Sequence, residues 1–122
     1  MSNNIRLLYV EDEADIIEIA ECALEDEGFD LLFCSSGSEA VEKAAEFSPD
    51  IILLDVMMSG MDGPTTLENL RKTSGLESTP ALFLTAKVQP QEVDALLALG
   101  AKKVIAKPFD VMTLADQIKD AL

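Results

Sequence analysis

Histidine is missing from all 122 residues, so this chain cannot itself serve as a histidine phosphodonor. Cysteine is scarce. Cys22, in an expected helix, and Cys34, in an expected strand, have no metal-ligand spacing and read as free core thiols. Cations are few as well: 9 Lys and Arg stand against 23 Asp and Glu, a formal charge of −14. That balance repels nucleic acid and anionic membrane surfaces, so direct nucleic-acid binding is not expected. No apolar run approaches the roughly 18 residues that a membrane span needs. The opening MSNNIRLLYV carries no signal-peptide pattern, and a cytoplasmic protein without membrane insertion is expected. Linkers, repeats and low-complexity tracts are also missing. The length suits one ordinary domain that buries a core without disulfides or a structural metal.

What the chain does contain is a regular alternation of short β-type apolar runs with segments of helical period. The strands are expected at Arg6 to Val10, Asp30 to Cys34, Ile51 to Leu54, Ala81 to Thr85 and Lys103 to Ala106. The first helix, ADIIEIAECALEDEG, places Ile16, Ala20 and Leu24 on one face and stops at Gly28. In the second, SEAVEKAAEF, Val41, Ala44 and Ala45 form the apolar stripe, and Ser36 with Glu39 makes a capping box. Pro64 and Pro90 suit the first turns of the third and fourth helices, where a missing N–H costs no helical bond. Val93, Leu96 and Leu97 face inward in the fourth, with Gly100 as its stop. The fifth begins at an Asp110 cap and packs through Leu114, Ile118 and Leu122. Strict β-α alternation over five units implies an α/β fold, a parallel sheet covered by helices on both faces.

Such sheets bind ligands at the carboxyl ends of their strands. The first strand is followed by Glu11 and Asp12, and the third by Asp55. The fourth finishes on Thr85, and the fifth leads to Lys107-Pro108. Taken singly, each has an ordinary explanation: acids before a helix complement its dipole, a threonine suits a strand, a lysine is solvated surface. Jointly they fall on one rim. Asp55 in particular ends a run of four aliphatic residues, where a carboxylate needs compensation. Three clustered carboxylates suit a hard cation, and Mg²⁺ fits because it takes oxygen ligands and is completed by phosphate oxygens. A carboxylate beside Mg²⁺ and an ammonium can act as nucleophile toward phosphorus, giving an aspartyl phosphate. Phosphoryl transfer asks chiefly for positioning and charge neutralisation, which Mg²⁺, Lys107 and Thr85 would provide.

On the signatures YVEDE, ILLDVMMSGMDG, LFLTA and IAKPF, the chain resembles a response-regulator receiver domain over essentially its whole length. The steps from 12 to 55, 55 to 85 and 85 to 107 are 43, 30 and 22 residues, spacings that suit the family. The resemblance implies a flavodoxin-like (βα)5 doubly wound sheet of strand order 2-1-3-4-5. It implies that Asp55 accepts a phosphoryl group from a phosphohistidine on a histidine kinase or histidine phosphotransfer protein. Asp12 would bind Mg²⁺ directly and Glu11 through water, with Asp55 and the Met57 carbonyl completing the protein ligands. Lys107 would pair with the phosphoryl group, and its bond to Pro108 would be cis. Thr85 would turn toward a phosphoryl oxygen, reshaping the face of the fourth helix, fifth strand and fifth helix for a downstream protein target.

Departures from the family pattern are informative. Val104 stands where many receivers carry an aromatic switch residue, so propagation through backbone and helix displacement is expected. Ser59 replaces a frequent proline and would loosen the loop after the acceptor. Met57 and Lys87 should flank the path of attacking water, although Met57 and Met58 could equally be packing residues. A phosphohydrolase of the haloacid-dehalogenase type would need a second Asp at position 57, which is Met. An unphosphorylated docking module remains as a further alternative. Five β-α units occupy residues 6 to 122, so a single receiver domain spanning 1–122 without an output domain is expected. A receiver excised from a larger regulator or hybrid kinase is the alternative. It is not expected to be a turnover enzyme.

Overall fold

The computed structural model describes residues 4–122, so the first three residues of the N-terminal stretch lie outside it. Five strands, β1 (Ile5–Val10), β2 (Phe29–Cys34), β3 (Ile51–Asp55), β4 (Ala81–Thr85) and β5 (Lys103–Ala106), form one parallel sheet in the order β2-β1-β3-β4-β5. The helices between and after them are α1 (Ala14–Leu24), α2 (Gly37–Phe47), α3 (Gly63–Arg71), α4 (Pro90–Ala98) and α5 (Leu114–Lys119). Among the described residues, no helix is long and apolar enough to cross a membrane.

Side-chain alternation sorts the strands onto two cores. Leu8, Val10, Ile52, Leu54 and Phe83 pack with Ala40 and Ala44 of α2, Leu67 and Leu70 of α3 and Leu96 of α4. On the opposite face Leu7, Tyr9, Ile51, Leu53, Leu82, Leu84 and Ile105 pack with Ala20 and Leu24 of α1 and Leu114 and Ile118 of α5. All five residues of β3 are buried, Asp55 included. A fully covered central strand explains why its sequence is a continuous aliphatic run rather than an alternation.

Several local expectations change in three dimensions. Helix α1 ends at Leu24, not at Gly28; Asp26 and Gly28 both take positive φ in the turn that follows, and the Gly28 carbonyl accepts from Ile5 N–H. In α2, Ala45 faces solvent and Gly37 and Ala40 join Ala44 in the core, because the helix packs against both the sheet and α3. The Ser36 side chain caps Glu39 N–H as expected, but the Glu39 carboxylate returns to Ser35 N–H, one residue earlier than in a standard capping box. Leu97 is largely exposed, since α4 presents only Leu96 to the core and Val93 to its margin. Helix α5 starts at Leu114 because Asp110 caps a preceding turn, accepting from Met112 N–H, and Leu122 is exposed. Of the two free thiols only Cys34 is buried; Cys22 lies on the outer face of α1.

Candidate functional site

The sheet register builds the rim. Tyr9 pairs with Leu53 and Val10 with Leu54, so the next residues, Glu11 and Asp55, arrive side by side. Glu11 N–H still donates to the Cys34 carbonyl, Val56 N–H to Leu84 and Lys107 N–H to Thr85. The sheet ladder therefore holds the backbone at or next to each of these groups. By alternation, Glu11, Asp55 and Lys107 share the face of Tyr9, Leu53 and Ile105.

Lys107 Nζ lies 3.2 Å from Glu11 Oε1 and 3.2 Å from Asp55 Oδ2. Both acids are inaccessible, Glu11 at 0% and Asp55 at 2% exposure, and these two oxygens receive no well-directed hydrogen bond. One ammonium thus serves two buried carboxylates. Burial, followed by the adjoining Asp55 carboxylate, pushes the Glu11 carboxyl up to about 7, with Lys107 opposing. Burial works against the Lys107 charge, yet contact with Asp55 and Glu11 outweighs it and raises that ammonium. Oxygens of Glu11, Asp12 and Asp55 all lie within 4.8 Å of one another. An all-oxygen set of three carboxylates matches the preference of a hard divalent cation.

Two backbone features steady this group. Ser59 N–H donates to Asp12 Oδ2 at 3.0 Å, tying the loop after β3 across to the end of β1. A proline could not make this bond, so the serine anchors the loop where looseness was expected. Gly63 opens α3 with its N–H on the Val56 carbonyl, 3.0 Å away. A Cβ at that position would sit 2.5 Å from the Asp55 carbonyl oxygen and 2.9 Å from Val56 Cα, so only glycine lets α3 start against the backbone of Asp55. Asp62 then caps the helix by accepting Thr65 N–H.

Of the expected site residues, Glu11, Asp12, Asp55 and Lys107 converge. Thr85 is buried at the same edge, but its Oγ1 accepts Lys87 N–H at 3.1 Å, and among the described residues no hydrogen bond joins it to Asp55. Met57 is 65% exposed, whereas Met58 packs against the core, so the packing explanation holds for Met58 alone. Lys87 is exposed, Val104 is half-buried against the core, and the Lys107-Pro108 bond is cis. A groove of about 600 Å³ lies elsewhere, between α1 and the turn before α5, lined by Ile19, Cys22, Val111 and Met112. Sequence reasoning missed the supporting roles of Ser59 and Gly63 and overlooked Tyr9. The MDG triplet at 61–63 was the only visible signal for the glycine.

The family model for the response regulator receiver domain matches residues 7–119. The uncharacterized transcriptional regulatory protein YkoG of Bacillus subtilis is 36% identical over 116 residues, 95% of this chain and 50% of that protein. The DNA-binding response regulator MtrA of Mycobacterium tuberculosis is 36% identical over 117 residues, 96% of this chain and 50% of its own. The chain spans about half the length of these curated relatives. Among solved structures, chemotaxis protein CheY4 of Vibrio cholerae superposes with a TM-score of 0.91 at 30% identity, covering 98% of this chain and 99% of that one. A response regulator from Chloroflexus aurantiacus, described as putative in its own structure, gives 0.88 at 29%, covering 98% of both chains.

Proposed function

This chain belongs to the response regulator receiver domain family, the signalling modules of two-component systems, and from that premise we propose that it is a phosphoacceptor switch with Asp55 as the acceptor. The observation that carries this reading is a buried carboxylate at a strand end whose Oδ2 lies 3.2 Å from the Lys107 ammonium and receives no well-directed hydrogen bond. Such an oxygen keeps its electron pair available for attack. It would form the new O–P bond in line as the P–N bond to a phosphohistidine of a partner kinase or phosphotransfer protein breaks. The electron pair of that bond returns to the imidazole.

Lys107 is placed to follow the charge, exchanging a carboxylate partner for a phosphoryl oxygen. Glu11, Asp12 and Asp55, with the Met57 carbonyl, would hold a Mg²⁺ ion, which when bound neutralises the transferring oxygens. Thr85 has a proton to donate because its oxygen serves only as acceptor for Lys87 N–H. Turning that hydroxyl toward the phosphoryl group would break the Lys87 contact and move the loop before α4, reshaping the α4-β5-α5 face that a downstream protein reads. Val104 provides no aromatic ring for this step, so backbone displacement carries it. Lys87 and the exposed Met57 flank the route of hydrolytic water and set the lifetime of the phosphorylated state.

The chain acts on itself rather than turning over external substrates. Its position 57 lacks the second carboxylate of an aspartyl phosphohydrolase. The receiver match over residues 7–119 supports reading the chain as one receiver domain; the doubled length of the curated relatives favours a second reading, a receiver belonging to a longer regulator. With its charge of −14, this domain leaves nucleic-acid contact to any such partner segment. The test is intact mass after incubation with Mg²⁺ and acetyl phosphate. One added phosphoryl group in the wild type, absent in Asp55→Asn and abolished by chelator, is the expected result. No gain despite measurable Mg²⁺ binding, with both the small donor and a phosphohistidine protein, would refute it in favour of an unmodified docking module.

A further inference from the structure

Three buried side-chain atoms lack a hydrogen-bond partner among the described residues: Glu11 Oε1, Asp55 Oδ2 and the hydroxyl of Tyr9. The first two belong to the acid site. The third is fully buried on β1, two residues before Glu11, and so projects from the same face of the strand. Its cross-strand neighbour Leu53 stands in the same relation to Asp55. One donor therefore lies on the same face as the two acids, one alternation step before them, and close enough for the charges of Glu11 and Asp55 to act on it. The ring is fixed in place by the core around it, with Phe33 on the adjoining strand at 5.4 Å between centroids.

A phenylalanine would fill this apolar layer without bringing in a polar atom. A buried hydroxyl with no partner is disfavoured, and a buried polar group that finds no partner in the protein is ordinarily satisfied by an ordered water. We infer that Tyr9 is a positioning residue of the acid site, its hydroxyl donating through one bridging water to the Glu11 carboxylate and so fixing the orientation in which Glu11 shares Lys107 with Asp55. The phenol carries a proton to give and a Glu11 oxygen that bears no proton can only accept, so the bond runs from Tyr9 to Glu11. The role rests on the phosphoacceptor reading, since the orientation of Glu11 matters only if the site takes a cation and a phosphoryl group.

Tyr9 is the sole tyrosine, which makes the contact measurable in the wild-type protein without a phosphodonor. With tyrosine labelled by ¹³C at the ring C–O carbon, the infrared C–O stretching band belongs to this residue alone. It should stand at the position of a donating phenol and shift in Glu11→Gln, while Glu18→Gln on the outer face of α1 leaves it unmoved. In parallel, Tyr9→Phe should lower the thermal midpoint slightly and slow phosphorylation by roughly threefold to tenfold, the range of one net hydrogen bond. That slowing should vanish in a Glu11→Gln background, because the two residues act through one contact. A band indifferent to Glu11→Gln, or a Tyr9→Phe rate within about twofold of wild type, overturns the inference and leaves Tyr9 as a core side chain. Should the wild type take up no phosphoryl group, the phosphoacceptor reading fails, while the infrared band still decides whether the Tyr9 contact exists.

Discussion

Glu11→Gln should make the metal-free protein more stable at alkaline pH and leave it unchanged in acid. Glu11 is fully buried, and its carboxyl is carried from an ordinary 4.5 up to about 7 by burial and the neighbouring Asp55 charge. The native state therefore holds this proton more tightly than the unfolded chain does. Between these two values the native state binds more protons, so stability falls as pH rises. The contribution is fully present below about 4.5 and lost once pH has risen through about 7. At 1.36 kcal/mol per pH unit, the loss comes to about 3 kcal/mol. Glutamine keeps the shape and loses the titration. Urea unfolding in chelator from pH 4.5 to 8.5 should give coincident stabilities at the acid end and a mutant advantage of about 3 kcal/mol at the alkaline end. Saturating Mg²⁺ should erase much of that advantage, since a ligand at 100 times its Kd stabilises the wild type by about 2.7 kcal/mol. Parallel wild-type and mutant curves across the range would refute the picture of Glu11 as a buried, proton-retaining acid.

Lys107→Met leaves two buried carboxylates facing each other without a cation; a loss of about 3 kcal/mol at pH 8, smaller at pH 5, is expected from the same unfolding series, with phosphorylation slowed in parallel. Gly63→Ala forces a methyl group against the Asp55 backbone and should cost about 1–3 kcal/mol by thermal unfolding, with a slower phosphorylation rate because Asp55, the proposed acceptor, is displaced. Ser59→Pro removes the N–H that holds Asp12 and should weaken Mg²⁺ binding by roughly threefold to tenfold in a calorimetric titration. Ser59→Ala keeps that N–H and should be silent, which separates the backbone bond from any effect of the hydroxyl.

The sheet and its acid rim were legible because both rest on short-range rules. Four aliphatic residues running into Asp55, and a parallel β-α alternation, are enough to place a carboxylate at the carboxyl end of a central strand. Helix margins were less legible. Gly28 looked like the stop of α1, but Asp26 adopts positive φ two residues earlier, and the chain turns there to bring Gly28 O to Ile5 N. Likewise Ala45 fits an apolar stripe by spacing, yet α2 rolls toward α3 and buries Gly37 instead. The supports of the site were invisible for a different reason. The Ser59 contribution is a backbone N–H, which side-chain reading cannot see, and its substitution for proline suggested slackness where the structure has a tether. Gly63 matters through an atom it lacks, measured against a backbone eight residues away in sequence. Tyr9 reads as one more apolar strand residue until burial exposes its unpartnered hydroxyl.

The most direct test of the central claim is to locate the phosphoryl group rather than merely count it. Borohydride reduces an aspartyl phosphate to homoserine, so the phosphorylated protein can be reduced, digested and sequenced by mass spectrometry. Homoserine at position 55 alone, requiring Mg²⁺ during phosphorylation, is the expected result. A label at another carboxylate such as Asp12, or at a hydroxyl residue that borohydride leaves unchanged, would contradict the assignment of Asp55 as the acceptor.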